Sequence, residues 1–112
     1  ESEEVKEAEK HLWEKIYKKS GQGRRTGVGI TAEGDMLAAM GLRYGTEEAT
    51  EFSEQVHKTI ALEAYRSSVN MAKERGAFAI YDSEREKNNP FINRLKEADP
   101  ELYEEMKKIR TT

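Results

Sequence analysis

The sequence predicts a mainly α-helical fold, a small helical bundle arranged around one long central helix. Three observations carry that prediction. Charged residues make up 37% of the 112 residues and hydrophobic ones 36%, against only 8 Gly and 2 Pro, a balance that suits helices with solvated faces better than sheets or disorder. Between Thr46 and Gly76 neither Gly nor Pro interrupts the chain, which leaves room for about eight helical turns. Apolar residues in the longer segments recur at three-to-four spacing, the period of one helix face.

The elements follow in order, as one helical segment spanning 1–112. A first helix is expected over 1–19, where Val5, Ala8, Leu12, Trp13, Ile16 and Tyr17 share an apolar side, acids come early and lysines late. The Ser and Gly of "SGQGRR" then stop it. A short helix over 31–41 carries Met36, Leu37 and Met40, with Gly41 as its terminator. Thr46 caps a long helix over 46–75 whose first turn holds Glu47 and Glu48. That helix carries two apolar rows, one of Ala49, Phe52, Val56, Ile60, Ala64 and Met71, the other of Leu62, Tyr65, Val69 and Ala72. Rows over so wide an arc need packing on more than one side, and the remaining short helices are not expected to cover both.

After Gly76, "AFAIYD" reads as an extended piece over 77–81 and "SEREKNN" as a polar loop. Asn89-Pro90 and Asp99-Pro100 each place a capping side chain before a proline at the first helical position, predicting helices over 89–98 and 100–110. Leu102, Tyr103, Met106 and Ile109 form the apolar side of the last. If compact, a fold of this length buries roughly two-thirds of its unfolded surface around a single core.

Composition also excludes. The net charge of -3 with lysines interleaved among glutamates leaves no basic stripe for nucleic acid. No apolar run approaches the ~20 residues of a membrane span and no signal peptide opens the chain, so no membrane partner and a cytoplasmic setting are expected. Cysteine is absent, which removes disulfides, thiolate metal ligands and thiol nucleophiles from this chain. The chain opens at Glu1 without an initiator methionine and stops at "KKIRTT", and an excerpt of a longer protein is the expectation.

Four constellations have residue types that suit chemistry. Gly27-Val28-Gly29-Ile30-Thr31-Ala32 fits the Gly-x-Gly-x-x-Ala dinucleotide fingerprint, but the buried strand that should precede it is replaced by an amphipathic helix. Glu54 and His57 have the Glu-x-x-His spacing of di-iron bundles. A second copy is missing, since His11 follows Ala8 by three, and a surface or packing histidine is the simpler reading. Arg24 and Arg25 could grip a phosphate or carboxylate with their planar guanidinium forks; the alternative is pairing with Glu33, Asp35 or helix C-terminal carbonyls. Ser53, Ser67 and Ser68 fall within the long helix with no histidine-acid arrangement in the pattern.

The order of segments says more than any one motif. "RRTGVGITAEGDMLAAMGLRYGTEEATEF", "VHKTIALEAYRSSVNMAKERGAFAIYD", "NNPFINRL" and "PELYEEMKKI" together resemble one portion of the large catalytic chain of ribonucleotide reductases, best the adenosylcobalamin-dependent class II members and their close class I relatives. The resemblance runs from Arg24 onward, and the Leu12-Trp13 pair fits the region just upstream. It implies a helical fragment of the family's ten-stranded α/β barrel. The parent would reduce ribonucleoside di- or triphosphates through a thiyl radical, with adenosylcobalamin as its radical source and the remainder of the catalytic chain as this segment's partner. The family's radical cysteine and Pro-Thr phosphate loop have no counterpart here, so the resemblance carries over no catalytic, cofactor-binding or metal-binding residue, and this chain alone is expected to be inactive. It further implies that the Arg-Arg-x-Gly-x-Gly turn is a structural connection in which Gly27 and Gly29 allow positive φ or close approach, Gly34 close packing and Gly41 helix termination. Near Arg110 the family pattern would place Gly-Arg-Arg-Asn, where this chain has "IRTT". The rival reading is a self-standing helical interaction module that docks through the two-rowed helix. Under either, uncovered rows imply self-association or partial unfolding of the isolated chain.

Overall fold

The computed structural model describes residues 2–110. Six helices follow one another: α1 (Glu3–Gly23), α2 (Glu33–Ala39), α3 (Glu47–Arg75), α4 (Ser83–Glu86), α5 (Pro90–Ala98) and α6 (Pro100–Arg110). No strand occurs among the described residues.

The long helix starts where its cap chemistry says it should. Thr46 is extended and its side chain accepts from the Ala49 amide at 3.3 Å, and Glu47 and Glu48 sit where the helix dipole favours negative charge. Lys73 and Arg75 occupy the last turn, and Gly76 stops the helix at φ 77°, a backbone state that costs other residues more than glycine. Asn89 and Asp99 cap α5 and α6, accepting from the amides of Phe91 and Leu102 at 3.0 Å each.

The main core lies in the corner that α3, α5 and α6 enclose. Val69, Ile92, Leu95, Leu102 and Met106 are buried there, with Leu62, Tyr65, Phe91, Tyr103 and Ile109 packed around them. Leu102 is 0% exposed. Tyr65 and Phe91 stack with ring centres 5.2 Å apart. The row Leu62, Tyr65, Val69 of α3 thus faces the core. The other row is covered only in part: Ala49 is buried, Phe52, Val56 and Ile60 are half-buried, and Ala64 and Met71 are exposed. Near its start α2 contributes the buried Leu37.

Several expectations need correction. The first helix does not end at Lys19 but runs through Ser20-Gly21-Gln22 to Gly23, ending where Arg24 turns left-handed at φ 46° and its amide donates to Ser20 O. Glycine in a helix costs about 1 kcal/mol but forbids nothing, so "SGQG" weakens the helix without stopping it. Glu1 of the expected helix lies outside the described residues, as do Thr111 and Thr112. The second helix is shorter than 31–41, because Ala32 at φ 61° sets its start at Glu33. Residues 77–81 are not extended: Tyr81 N donates to Phe78 O at 3.0 Å and the two rings meet edge to face at 5.3 Å. A strand here would have had no partner to hydrogen-bond, and the turn satisfies the backbone locally. Just before the expected loop, Asp82 accepts from Glu84 N and Arg85 N, so that the loop opens with the one-turn α4.

The condition of compactness attached to the two-thirds burial is not met. The radius of gyration is 19.8 Å, whereas a compact domain of this length has about 13 Å. The accessible surface is 9429 Å², against roughly 6,300 Å² for a globular protein of this mass, and only about half of the unfolded surface is buried.

Candidate functional site

The turn between α1 and α2 is the first candidate, because it holds both arginines and the Gly-x-Gly. No strand precedes it; α1 does. Gly27 and Gly29 are not among the glycines with positive φ, and a Cβ on either would meet nothing within 4 Å. Positive φ falls instead on Arg24 and Ala32. Gly34 is equally open, so the close packing expected of it does not occur within this chain, whereas Gly41 does terminate its helix at φ 72°. A phosphate at the start of α2 would meet Glu33 and Asp35, both in the first turn of a seven-residue helix. Two carboxylates at that end cancel the attraction a helix N-terminus holds for anions.

Of the two readings for the arginine pair, the structure gives the carbonyl one for Arg24. Its Nη1 donates to Gly76 O at 3.3 Å, tying the end of α1 to the end of α3. Ile80 lies against the same point, 3.8 Å from where a Cβ of Gly23 would stand. Arg25 has no ion pair with Glu33 or Asp35.

The serine reading needs amendment. Folding of α2 against α3 brings Glu33 to Ser53, whose hydroxyl donates to the Glu33 carboxylate, and places His57 Nδ1 3.4 Å from the same hydroxyl. Serine, histidine and acid are therefore neighbours, which spacing along α3 could not reveal because Glu33 is 20 residues upstream. The roles are wrong for nucleophilic catalysis. The acid binds serine directly, while His57 Nδ1 lies 2.8 Å from the Ser53 carbonyl oxygen and is committed to it. This is a junction between two helices. Glu54 and His57 are exposed, and among the described residues no three His, Asp or Glu side chains converge as a metal site would require.

The best-organised polar cluster lies at the α5–α6 corner. Asp99 serves two elements at once: Oδ1 accepts from the Leu102 amide and caps α6, and Oδ2 accepts from Arg66 Nη2 of α3 at 2.7 Å. Glu63 adds a second carboxylate 3.4 Å from Arg66 Nε. Loss of hydration works against the Arg66 charge, but Asp99 and then Glu63 outweigh it and hold the guanidinium above the ordinary arginine value. The cluster fastens α3 to the start of α6. Two shallow concavities on the surface are lined mostly by charged side chains, Glu101, Glu104, Glu105 and Lys108 beside Pro100 in one, Glu14, Lys15, Lys18 and Lys19 beside His11 and Gln22 in the other. A corrin ring needs an enclosed, largely apolar seat, and these residues do not fit one.

What the chain does present is uncovered apolar surface. Trp13 is 64% exposed, Tyr17 84% and Tyr44 80%, and Val28, Met40 and Ile80 are each more than half exposed. No helix among the described residues is long and apolar enough to cross a membrane. Apolar surface of this kind is where proteins meet a partner, a ligand or a membrane.

Comparison with known proteins identifies the class. The family model of the ribonucleotide reductase barrel domain matches residues 3–111, and the chain belongs to that family. The chain is 37% identical over 86 residues to the vitamin B12-dependent ribonucleoside-diphosphate reductase of Thermoplasma acidophilum, covering 76% of this chain and 11% of that protein. It is 34% identical over 62 residues to the vitamin B12-dependent enzyme of Mycobacterium tuberculosis, covering 55% of this chain and 9% of the relative. It is 38% identical over 58 residues to the ribonucleoside-diphosphate reductase subunit alpha of Chlamydia pneumoniae, covering 52% and 6% respectively. The chain thus spans about a tenth or less of the curated relatives it matches. No solved structure matches it.

Proposed function

We propose that this chain is a helical part of the catalytic chain of a ribonucleotide reductase, standing against the family's α/β barrel in the cytoplasm and contributing packing surface instead of reactive groups. The single observation that carries the reading is the surface: roughly half as much again as a compact protein of this mass exposes, with the large apolar side chains of Met40, Tyr44, Met71, Phe78 and Ile80 left uncovered. Those are the faces of a part that the remainder of a larger chain covers. Relatives named as vitamin B12-dependent make adenosylcobalamin the cofactor of the parent enzyme in this reading. Cofactor contacts and the thiols for radical chemistry come from elsewhere in that parent, since this sequence holds no cysteine.

A chimaera tests this. The matching segment of the Thermoplasma acidophilum enzyme is replaced by this chain, and reduction of ribonucleoside diphosphates is assayed with adenosylcobalamin present. A folded chimaera that reduces them supports an integral supporting role. Undiminished activity of the relative with that segment deleted contradicts it. The rival reading, a self-standing interaction module, draws on the same exposed faces; it gains if the chimaera folds without activity while this chain alone captures a defined protein partner.

A further inference from the structure

We propose that α1 pairs antiparallel with α1 of a second copy of this chain. The helix runs 21 residues, about 31 Å, yet buries none of its residues. Its apolar side is intact: Ala8, Leu12 and Ile16 follow one another at i, i+4, Val5 lies beside them, and Trp13 and Tyr17 line one edge. Val5, Leu12, Trp13, Ile16 and Tyr17 are between 42% and 84% exposed. Counting the two large rings and three aliphatic chains, the patch amounts to on the order of 600 Å² per copy. The charged side chains at its edge raise that toward the roughly 800 Å² per partner of a standard interface.

The charge pattern selects the occupant. Residues 3–9 hold Glu3, Glu4, Glu7 and Glu9 against Lys6 alone, whereas residues 15–25 hold Lys15, Lys18, Lys19, Arg24 and Arg25 with no acid. Within α1 the Glu3–Lys6 pair is the ion pair among the described residues, so the other charges are uncommitted to one another. A helix acidic at one end and basic at the other complements itself when a second copy is turned end for end, and repels itself when parallel. Antiparallel pairing centred on Leu12 sets Leu12 on its own counterpart, Ala8 opposite Ile16 of the second copy, and Glu4 alongside Lys18 and Lys19 of the second copy. The interface is isologous and closes as a dimer. It does not depend on the reductase reading, because pairing through α1 leaves Met40, Tyr44, Met71, Phe78 and Ile80 for the remainder of a catalytic chain.

Light scattering on the purified 112-residue chain is the test, with two charge-reversed variants: Glu3→Lys, Glu4→Lys and Glu7→Lys together, and Lys15→Glu, Lys18→Glu and Lys19→Glu together. The wild type is expected to be a dimer at high concentration. Each variant alone should dissociate at least tenfold more readily, and an equimolar mixture of the two should recover a heterodimer. Because the chain has no cysteine, orientation reads out cleanly: a mixture of Glu4→Cys and Lys19→Cys chains should form the mixed disulfide on oxidation, with Glu4→Cys alone remaining uncrosslinked. Circular dichroism and Leu12→Asp provide the folding control, since α1 lends no residue to the α3–α5–α6 core and Leu12→Asp should be monomeric with that core intact. A monomeric wild type, a dimer indifferent to all three variants, or preferential crosslinking of Glu4→Cys with itself overturns the proposal. Failure here leaves the chimaera experiment untouched.

Discussion

Two stretches of this chain are helical for similar local reasons and end in opposite circumstances. In α1, an N-capping Ser2, two glutamates in the first turn and a row of apolar residues build a helix that buries nothing. In the corner of α3, α5 and α6, caps and apolar rows of the same kind meet, and Leu102 disappears from solvent. The comparison separates what makes a helix from what makes a fold. Capping and periodicity are local and write the helix; stability comes where two apolar faces can close on each other. One half of this chain finds that closure internally, and the other offers it outward.

The largest expected effect comes from attacking the closed half. Leu102→Ala should cost about 3 kcal/mol through lost burial and the cavity left behind. That is comparable with the roughly 3–5 kcal/mol a core this small supplies, so urea titration should find the corner unfolded or nearly so. The matching change in the open half, Ile16→Ala, should shift the same transition by less than about 0.5 kcal/mol, because an exposed side chain loses little. Equal losses at the two sites would erase the distinction.

Next in size is Asp99. Asp99→Ala removes the α6 cap and the Arg66 pair together and should cost about 1–2 kcal/mol, whereas Asp99→Asn keeps an oxygen for the Leu102 amide and should restore more than half of that. Smaller again, and opposite in sign, is Gly34→Ala. A Cβ there meets nothing in this chain, and alanine in a helix should stabilise by about 0.5–1 kcal/mol. If the remainder of a catalytic chain packs closely at Gly34, the same substitution should destabilise the full-length enzyme, which turns one residue into a sensor of the missing contact. The smallest effect is with pH. The Arg66 value is raised on folding, so the stability it contributes is fully present below the ordinary arginine value and is lost only as pH climbs through the raised one. The difference in melting temperature between wild type and Arg66→Ala should therefore stay flat from about pH 7 to 10.

The same contrast explains what could be read in advance. Thr46, Asn89-Pro90 and Asp99-Pro100 marked their helix starts because a cap is a contact between residues two or three apart. The two rows on α3 were visible as periodicity, and the suspicion that they would not both be covered follows from the shortness of the other helices. Tertiary contacts were not visible. Nothing near Arg24 announces that its side chain reaches the Gly76 carbonyl, and nothing in α3 announces that Glu33 will sit on Ser53 beside His57. Gly27 and Gly29 are read as sites for positive φ or close approach in a structural turn because glycine permits both, yet permission is not use, and the left-handed residues are Arg24 and Ala32. The family was legible from the order of segments, and the match across residues 3–111 agrees with it.

Amide hydrogen exchange on the isolated chain, dilute enough to be monomeric, tests the central claim most directly. The account predicts slow exchange for the second half of α3, α5 and α6, and near-unprotected exchange along α1, whose amides should slow once a covering surface is supplied. Protection of α1 equal to that of α6 in the dilute monomer would contradict it.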